Sequence, residues 1–146
     1  MNLGEDTQVS HRIFARKRQR LTLSWDEIGL NSRRAAQVLK DGHARSSVSR
    51  AYYSAFYVVN ERLLRHASPP AHYETHRHQQ IPDLIEAHLL KRNAKARRAL
   101  RTTVVRLYKA RLDADYKRRP TMNQAVALDA LRDAKAIFNV LGVSDA

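Results

Sequence analysis

Cysteine is absent from this 146-residue chain, which removes at once a disulfide framework, a thiol nucleophile and any zinc site built on sulfur. Glycine and proline are scarce, at four each, too few turn formers for an all-β sandwich, which needs a turn about every 8–12 residues. The glycines stand singly at positions 4, 29, 42 and 142, so there is no phosphate-cradling P-loop and no Rossmann turn. No apolar run approaches the ~18 residues of a membrane span. Near the N-terminus Ile13 and Phe14 sit among Arg12, Arg16, Lys17, Arg18 and Arg20, which is no apolar signal-peptide region. Acidic residues are also few, and only Asp113 and Asp115 form a close pair, a poor basis for a two-metal nuclease. These absences predict a cytoplasmic protein with one domain, no membrane segment and no cofactor.

What is there is positive charge and helical periodicity. Lys and Arg total 27 against 14 Asp and Glu, a formal net charge of +13, so the summed field attracts polyanions, of which nucleic acid is the commonest. Hydrophobic residues make up 43% of the chain, enough for a core. Residues 1–22 are basic and without apolar period, and are expected to form a flexible arm; residues 23–146 are expected to form the folded bundle.

Five helices are predicted. The first starts at Ser24, where Ser24-x-x-Glu27 is a capping box, carries Trp25, Ile28, Ala35, Ala36 and Leu39 on one side, and stops at Gly42. The second runs from Ser46 to about His66 on Val48, Ala51, Tyr52, Ala55, Phe56, Val59, Leu63 and Leu64, and Pro69-Pro70 forbids its continuation. A third follows on Ile81, Leu84, Ile85, His88 and Leu89. A fourth runs from about Ala94 to Tyr116 on Leu100, Val104, Leu107, Tyr108 and Leu112, and the two are either separate or one bent element. In the fifth, Thr121-x-x-Gln124 is a second capping box, Ala125, Leu128, Leu131, Ala134, Ile137, Phe138 and Leu141 line one face, and Gly142 closes it. Short connections and no strand pattern give an all-α antiparallel bundle.

Two regions could carry chemistry. Between Glu86 and Asp113 lie nine basic residues and no carboxylate, and Lys91, Arg92, Lys95, Arg97, Arg98 and Arg101 can track a row of phosphates from one end of this window. Partner acids on neighbouring helices are the competing explanation of the run. His72, His76 and His78 form the second region. His72 and His76 are four apart, but Glu74 is one position late for the His-Glu-x-x-His zinc pattern and no third ligand is specified, so no metal is expected.

Ser49-Arg50-Ala51-Tyr52-Tyr53-Ser54-Ala55-Phe56 followed by Glu61-Arg62-Leu63-Leu64 resembles the second-helix signature of small prokaryotic HEPN-domain proteins. Arg111-Leu112-Asp113-Ala114-Asp115-Tyr116 resembles the Arg-x-x-Ala-Asp-Tyr segment of one HEPN branch. The resemblance covers roughly residues 24–142 and singles out Arg50, Tyr52, Tyr53, Arg111, Asp115 and Tyr116. It implies a helical bundle that commonly dimerises, hence a homodimer here, and a place in toxin–antitoxin or defence loci, often beside a small nucleotidyltransferase. It also implies that active members are metal-independent ribonucleases, with an arginine followed four to six positions later by a histidine. Arg111 occupies the arginine's place, but Asp115 stands where histidine is required, and an ionised aspartate neither donates a proton nor welcomes a phosphate. Arg62 and His66 come near the pattern but lie on the second helix.

The reading favoured is therefore a module that binds RNA, or a protein partner such as an antitoxin or nucleotidyltransferase, without the standard ribonuclease motif. Arg111 and Asp115 are then an i, i+4 pair with tyrosine hydroxyls bonded nearby. The alternative is an active endoribonuclease in which Arg111 works with His76, His78 or His88. An α-helical DNA-binding protein is a third possibility, weakened by the lack of a helix-turn-helix pattern.

Overall fold

The computed structural model describes residues 22–118 and 121–144. The basic arm expected over residues 1–22 thus lies, except for Thr22, outside the described residues, as does Pro120. The described residues form five α-helices and one short 3-10 turn: α1 (Trp25–Leu39), α2 (Ala44–Leu63), the turn His78–Gln80, α3 (Ile81–His88), α4 (Ala94–Tyr116) and α5 (Gln124–Leu141), with no strand among them. None of these helices is long and apolar enough to cross a membrane.

Local chemistry sets the helix ends. Ser24 Oγ accepts the Glu27 N–H at 3.1 Å while a Glu27 carboxylate oxygen accepts the Ser24 N–H at 3.1 Å, closing the expected capping box. After Leu39 the chain turns through Gly42, whose φ of +106° is costly for any residue with a Cβ. α2 starts two residues earlier than predicted, at Ala44, and ends at Leu63. Its terminal carbonyls are covered by a further turn that carries hydrogen bonds out to Ala67, so the chain leaves the helix before the proline pair. α3 and α4 are separate helices. Leu90 between them takes a left-handed φ of +50°, and Asn93 restarts the helix by accepting the Ala96 N–H at 3.0 Å.

The second predicted capping box does not form. α5 is capped by Asn123, whose side-chain oxygen accepts the Val126 N–H at 3.1 Å, two residues beyond Thr121. At the other end Gly142 is left-handed (φ +71°), and the Val143 N–H returns to the Phe138 carbonyl at 2.9 Å, a Schellman closure. The buried face of α5 is also rotated from the expected one. Ala127, Ala130, Leu131, Ala134, Ile137 and Phe138 are buried, whereas Ala125 and Leu128 face outward.

α2 is the central element, packed by α1 on one side and by α4 and α5 on others. α1 runs antiparallel to it, since Gly29 meets Ser54 and Val58 while Ala36 meets Ser47. This contact is made by small residues. A Cβ on Gly29 would lie 2.8 Å from Val58 Cγ1 and 2.9 Å from the Ser54 carbonyl oxygen. Ser47 Oγ donates to the Ala36 carbonyl at 2.7 Å and Ser32 Oγ to the Arg50 carbonyl at 2.9 Å, so two buried hydroxyls bind across the helix pair. Ser32, which interrupts the apolar stripe of α1 in the sequence, is therefore an interface residue.

The end of α4 is held by another helix. Arg45, in the first turn of α2, donates to the carbonyls of Asp113, Ala114, Lys117 and Arg118 at 2.6–3.2 Å. Carbonyls at and just beyond the helix end thereby gain a cation at the negative end of the α4 dipole. This tie fixes the register of Arg111–Tyr116 against Ser49–Tyr53, where the candidate site lies.

Candidate functional site

The residues singled out on α2 and α4 converge, though they are about fifty positions apart in sequence. Tyr53 lies at the edge of the buried α2 face, and Arg111 on α4 reaches it. Arg111 Nη2 donates to the Tyr53 hydroxyl at 2.9 Å and to the Tyr116 hydroxyl at 3.4 Å, and its Nε stands 2.8 Å from an Asp115 carboxylate oxygen. The guanidinium also stacks over the rings of Tyr53 and Tyr116, 5.3 Å from each centroid. Ser49 Oγ donates to the same Asp115 oxygen at 3.2 Å, closing a network between the two helices. Burial works against the charge on Arg111, and the oxygens of Tyr53, Asp115 and Tyr116 outweigh it, so the guanidinium is held fully ionised. Only 11% of its side chain is exposed.

In front of this network is a polar cleft of about 670 Å³, lined by Arg45, Ser49, Arg50, Tyr53, Tyr57 and Asp115 among others. Arg111 stands behind its wall. Arg50 is exposed on the cleft, and among the described residues no carboxylate pairs with it.

Tyr52 and Tyr53 point to different jobs. Tyr52 is buried (2% exposed) and its hydroxyl lies 2.6 Å from His78 Nδ1. Burial pushes that hydroxyl well above the ordinary phenol range, so it stays protonated. Burial first, and then the Arg111 charge, lower the pKa of His78 from its usual 6.5. With the histidine neutral, the Tyr52 hydroxyl donates to Nδ1 in one tautomer and accepts from Nδ1–H in the other, and in both Nδ1 is engaged. The His78 ring stacks on Phe56 at 4.3 Å.

Well above pH 6.5 His78 is neutral in both folded and unfolded chains and its contribution to stability is complete. Below 6.5 the unfolded chain takes up a proton that the folded site resists, so stability falls until the folded-state pKa is passed. The thermal midpoint should therefore drop less between about pH 7.5 and about pH 5 in His78→Gln than in the parent, since glutamine still accepts the Tyr52 hydroxyl but cannot charge. An equal drop in both would show that His78 carries no such penalty.

The other histidines are elsewhere. His76 is buried, with its N–H donating to Asn60 Oδ1 at 2.8 Å and its Nε2 donating to the Ala67 carbonyl at 3.0 Å, which ties the loop after α2 to the bundle. His88 stacks on His66, 5.7 Å between centroids. His72 is exposed at φ +69°. Among the described residues no three His, Asp or Glu side chains converge as metal ligands do.

Three arginines of the basic window meet acids of neighbouring helices. Arg97 pairs with Glu86 at 3.3 Å, Arg101 with Asp83 at 3.4 Å, and Arg106 donates twice to Asp133 at 2.8 and 2.9 Å. The acids missing from the window are thus supplied by α3 and α5. Lys91, Arg92, Lys95 and Arg98 remain exposed without a described carboxylate partner, at the start of α4. Arg111 is sixteen residues from Lys95 on the same helix, a distance of roughly 24 Å at the α-helical rise. The ridge and the cleft are two separate positive regions.

The all-α bundle agrees with the resemblance seen in the sequence, and the model of the HEPN domain family matches residues 27–143. The chain belongs to the HEPN family. HEPN domains are generally ribonuclease-like or RNA-related, and often form dimers. Neither the curated proteins nor the solved structures yield a match to this chain. In this HEPN domain the network around Arg111 was half legible beforehand. The i, i+4 spacing announces the pair with Asp115 and the tyrosines of the two segments are expected near it, as Tyr53 and Tyr116 are, but nothing in the sequence announces that Ser49 joins the network or that the Tyr52 hydroxyl goes to His78 instead.

Proposed function

We propose that this HEPN domain binds RNA without cleaving it, as the RNA-recognition member of a toxin–antitoxin or defence-type pair. One observation carries the reading: the groups that cleavage would need are already engaged. Arg111 is braced by Asp115, Tyr53 and Tyr116 behind the cleft wall, and Nδ1 of His78 is hydrogen-bonded to the Tyr52 hydroxyl. A general base must reach the 2′-hydroxyl with a free lone pair. In this arrangement Arg111 is a positioning residue, Arg50 offers the cleft's accessible cation, and Lys91, Arg92, Lys95 and Arg98 add a second phosphate contact. The Arg-x-x-Ala-Asp-Tyr segment, on this reading, marks a branch in which the former catalytic corner serves as a brace. A partner antitoxin or nucleotidyltransferase and a homodimeric state belong to the same proposal.

A second reading has one observation in its favour. Of the three histidines considered as a base, His78 alone lies in the field of Arg111, with Tyr53 in contact with both. It requires a free lone pair on His78, either on Nδ1 once the Tyr52 hydrogen bond opens or on Nε2 in the tautomer protonated on Nδ1.

Purified protein incubated with total RNA in excess chelator decides between them. Salt-sensitive retention without new ends is expected, with affinity falling steeply as salt rises. Replacing Lys91, Arg92, Lys95 and Arg98 together by alanine should weaken retention and flatten that slope by about one unit for each phosphate no longer neutralised. Cleavage leaving 2′,3′-cyclic phosphate ends would overturn the binding reading in favour of the second. Asp115→Asn should tighten RNA binding about three-fold, the worth of one partly exposed charge near a phosphate; unchanged or weaker binding would show that RNA does not enter this cleft.

A further inference from the structure

The polar cleft has a neighbour of different character. On the far side of Tyr53 and Tyr57 lies a second cavity of about 580 Å³, lined by Trp25, Phe56 and Tyr73 and by the loop carrying His78 and Gln79. Tyr53 and Tyr57 line both cavities. Each volume falls in the range of about 300–1,000 Å³ usual for ligand pockets.

The rings between the two form a continuous series. Trp25 stacks on Tyr57 with centroids 5.2 Å apart and planes 9° from parallel. Tyr57 lies 6.0 Å from Tyr53, which carries the Arg111 guanidinium over its ring at 5.3 Å, and Arg111 in turn stands 5.3 Å from the Tyr116 ring. Phe56 and Tyr52 pack beneath as buried core. Trp25, Tyr53 and Tyr57 are only partly buried and Tyr73 is 58% exposed, so π-surface faces the cavities. A core does not need this exposure. One end of the series opens on a cationic wall bearing Arg50 and the other on an apolar pocket with hydrogen-bonding groups on its rim. That is the chemistry of a nucleotide strand, whose phosphates follow the charge and whose bases stack on rings.

We propose that the Trp25–Tyr57–Tyr53 strip is a stacking platform for single-stranded RNA, with the backbone phosphate in the Arg50 cleft and an unpaired base in the aromatic cavity. The proposal rests on the RNA-binding reading above and narrows it from RNA to unpaired RNA. Duplex RNA, whose bases are already stacked on each other, meets only the charged groups.

The chain contains one tryptophan, and it lies on the strip, so its fluorescence reports the site. The full chain is titrated with an oligoadenylate of about eight nucleotides, with the same strand made abasic throughout, and with duplex RNA of equal length. Oligoadenylate is expected to quench Trp25 and to bind about ten-fold more tightly than the abasic strand. Tyr57→Leu, and separately Trp25→Leu, should abolish that ten-fold preference while leaving affinity for the abasic strand unchanged, with thermal melts confirming that each variant folds. If the abasic and base-bearing strands bind equally with the expected salt slope, the platform is overturned and the RNA-binding reading stands. A preference that survives in both variants also overturns it, because the base is then held elsewhere. Failure of every strand to bind removes the RNA-binding reading and the platform with it.

Discussion

Arg111→Ala is expected to lower the unfolding free energy by about 2 kcal/mol, which for a domain of this size is a fall in thermal midpoint of roughly 4–8 °C. The reason is the number of groups it leaves behind. Asp115 loses the cation 2.8 Å away, the Tyr53 and Tyr116 hydroxyls lose their donor, and both rings lose the stacked guanidinium. A charge-assisted hydrogen bond is worth about 1.5–3 kcal/mol and a stacked guanidinium about 0.5–1, but Asp115 is 27% exposed, so water recovers part of the loss. Arg111→Ala combined with Asp115→Ala should be less destabilised than the sum of the single changes, since the abandoned carboxylate is gone. Arg111→Lys should restore only a fraction, because an ammonium keeps the charge but cannot reach two hydroxyls and stack on two rings at once. Thermal melts of the parent, the two single alanine variants, the double variant and Arg111→Lys check this. A midpoint unchanged in Arg111→Ala would show that the residue is not a brace, and would return it to the role of an available phosphate ligand. Arg50→Ala provides the contrast: weaker RNA binding with no change in stability, because its exposed side chain holds nothing together.

Gly29→Ala is expected to cost about 1–3 kcal/mol, although alanine is the better helix former. A methyl group at this position meets Val58 Cγ1 at 2.8 Å and the Ser54 carbonyl oxygen at 2.9 Å. Val58 is β-branched and fully buried, with few rotamers to choose from, and the other contact is backbone, so α1 must lift away from α2. That movement lengthens the Ser32–Arg50 and Ser47–Ala36 hydrogen bonds, which span the same interface. It also shifts Trp25, one helical turn away, relative to Tyr57. Equilibrium unfolding in urea should show a lower midpoint with an unchanged slope. If alanine stabilises, the helix pair has room to spare and the close approach is not a constraint.

The fold was largely legible because helices declare themselves locally. The Ser24–Glu27 box, the stripe on α2 and the glycine after α5 each lie within a few residues of the structure they specify. The start of α5 was misplaced for the same kind of reason. Thr121 and Asn123 both have capping side chains, and only the path of the chain out of α4 decides which oxygen faces the N–H groups. The buried face of α5 was misread because alanines recur all round that helix, and what covers each one is set by α2 and α4.

The candidate site shows the same division. The spacing of Arg111 and Asp115 on one helix, the Tyr52–Tyr53 pair on another and the excess of positive charge are properties of the sequence alone. The run Ser49–Phe56 with Glu61–Leu64 and the segment Arg111–Tyr116 carry the resemblance to HEPN proteins, and the family match over residues 27–143 agrees with it. Three things required tertiary structure: that Arg111 lies behind a cleft rather than in it, that His78 is the histidine brought against Tyr52 and Tyr53, and that acids from α3 and α5 pair with Arg97, Arg101 and Arg106. Each depends on groups far apart in the chain approaching within a few ångströms. Coulomb and hydrogen-bond energies vary steeply over that distance, while sequence spacing constrains it only within a single helix.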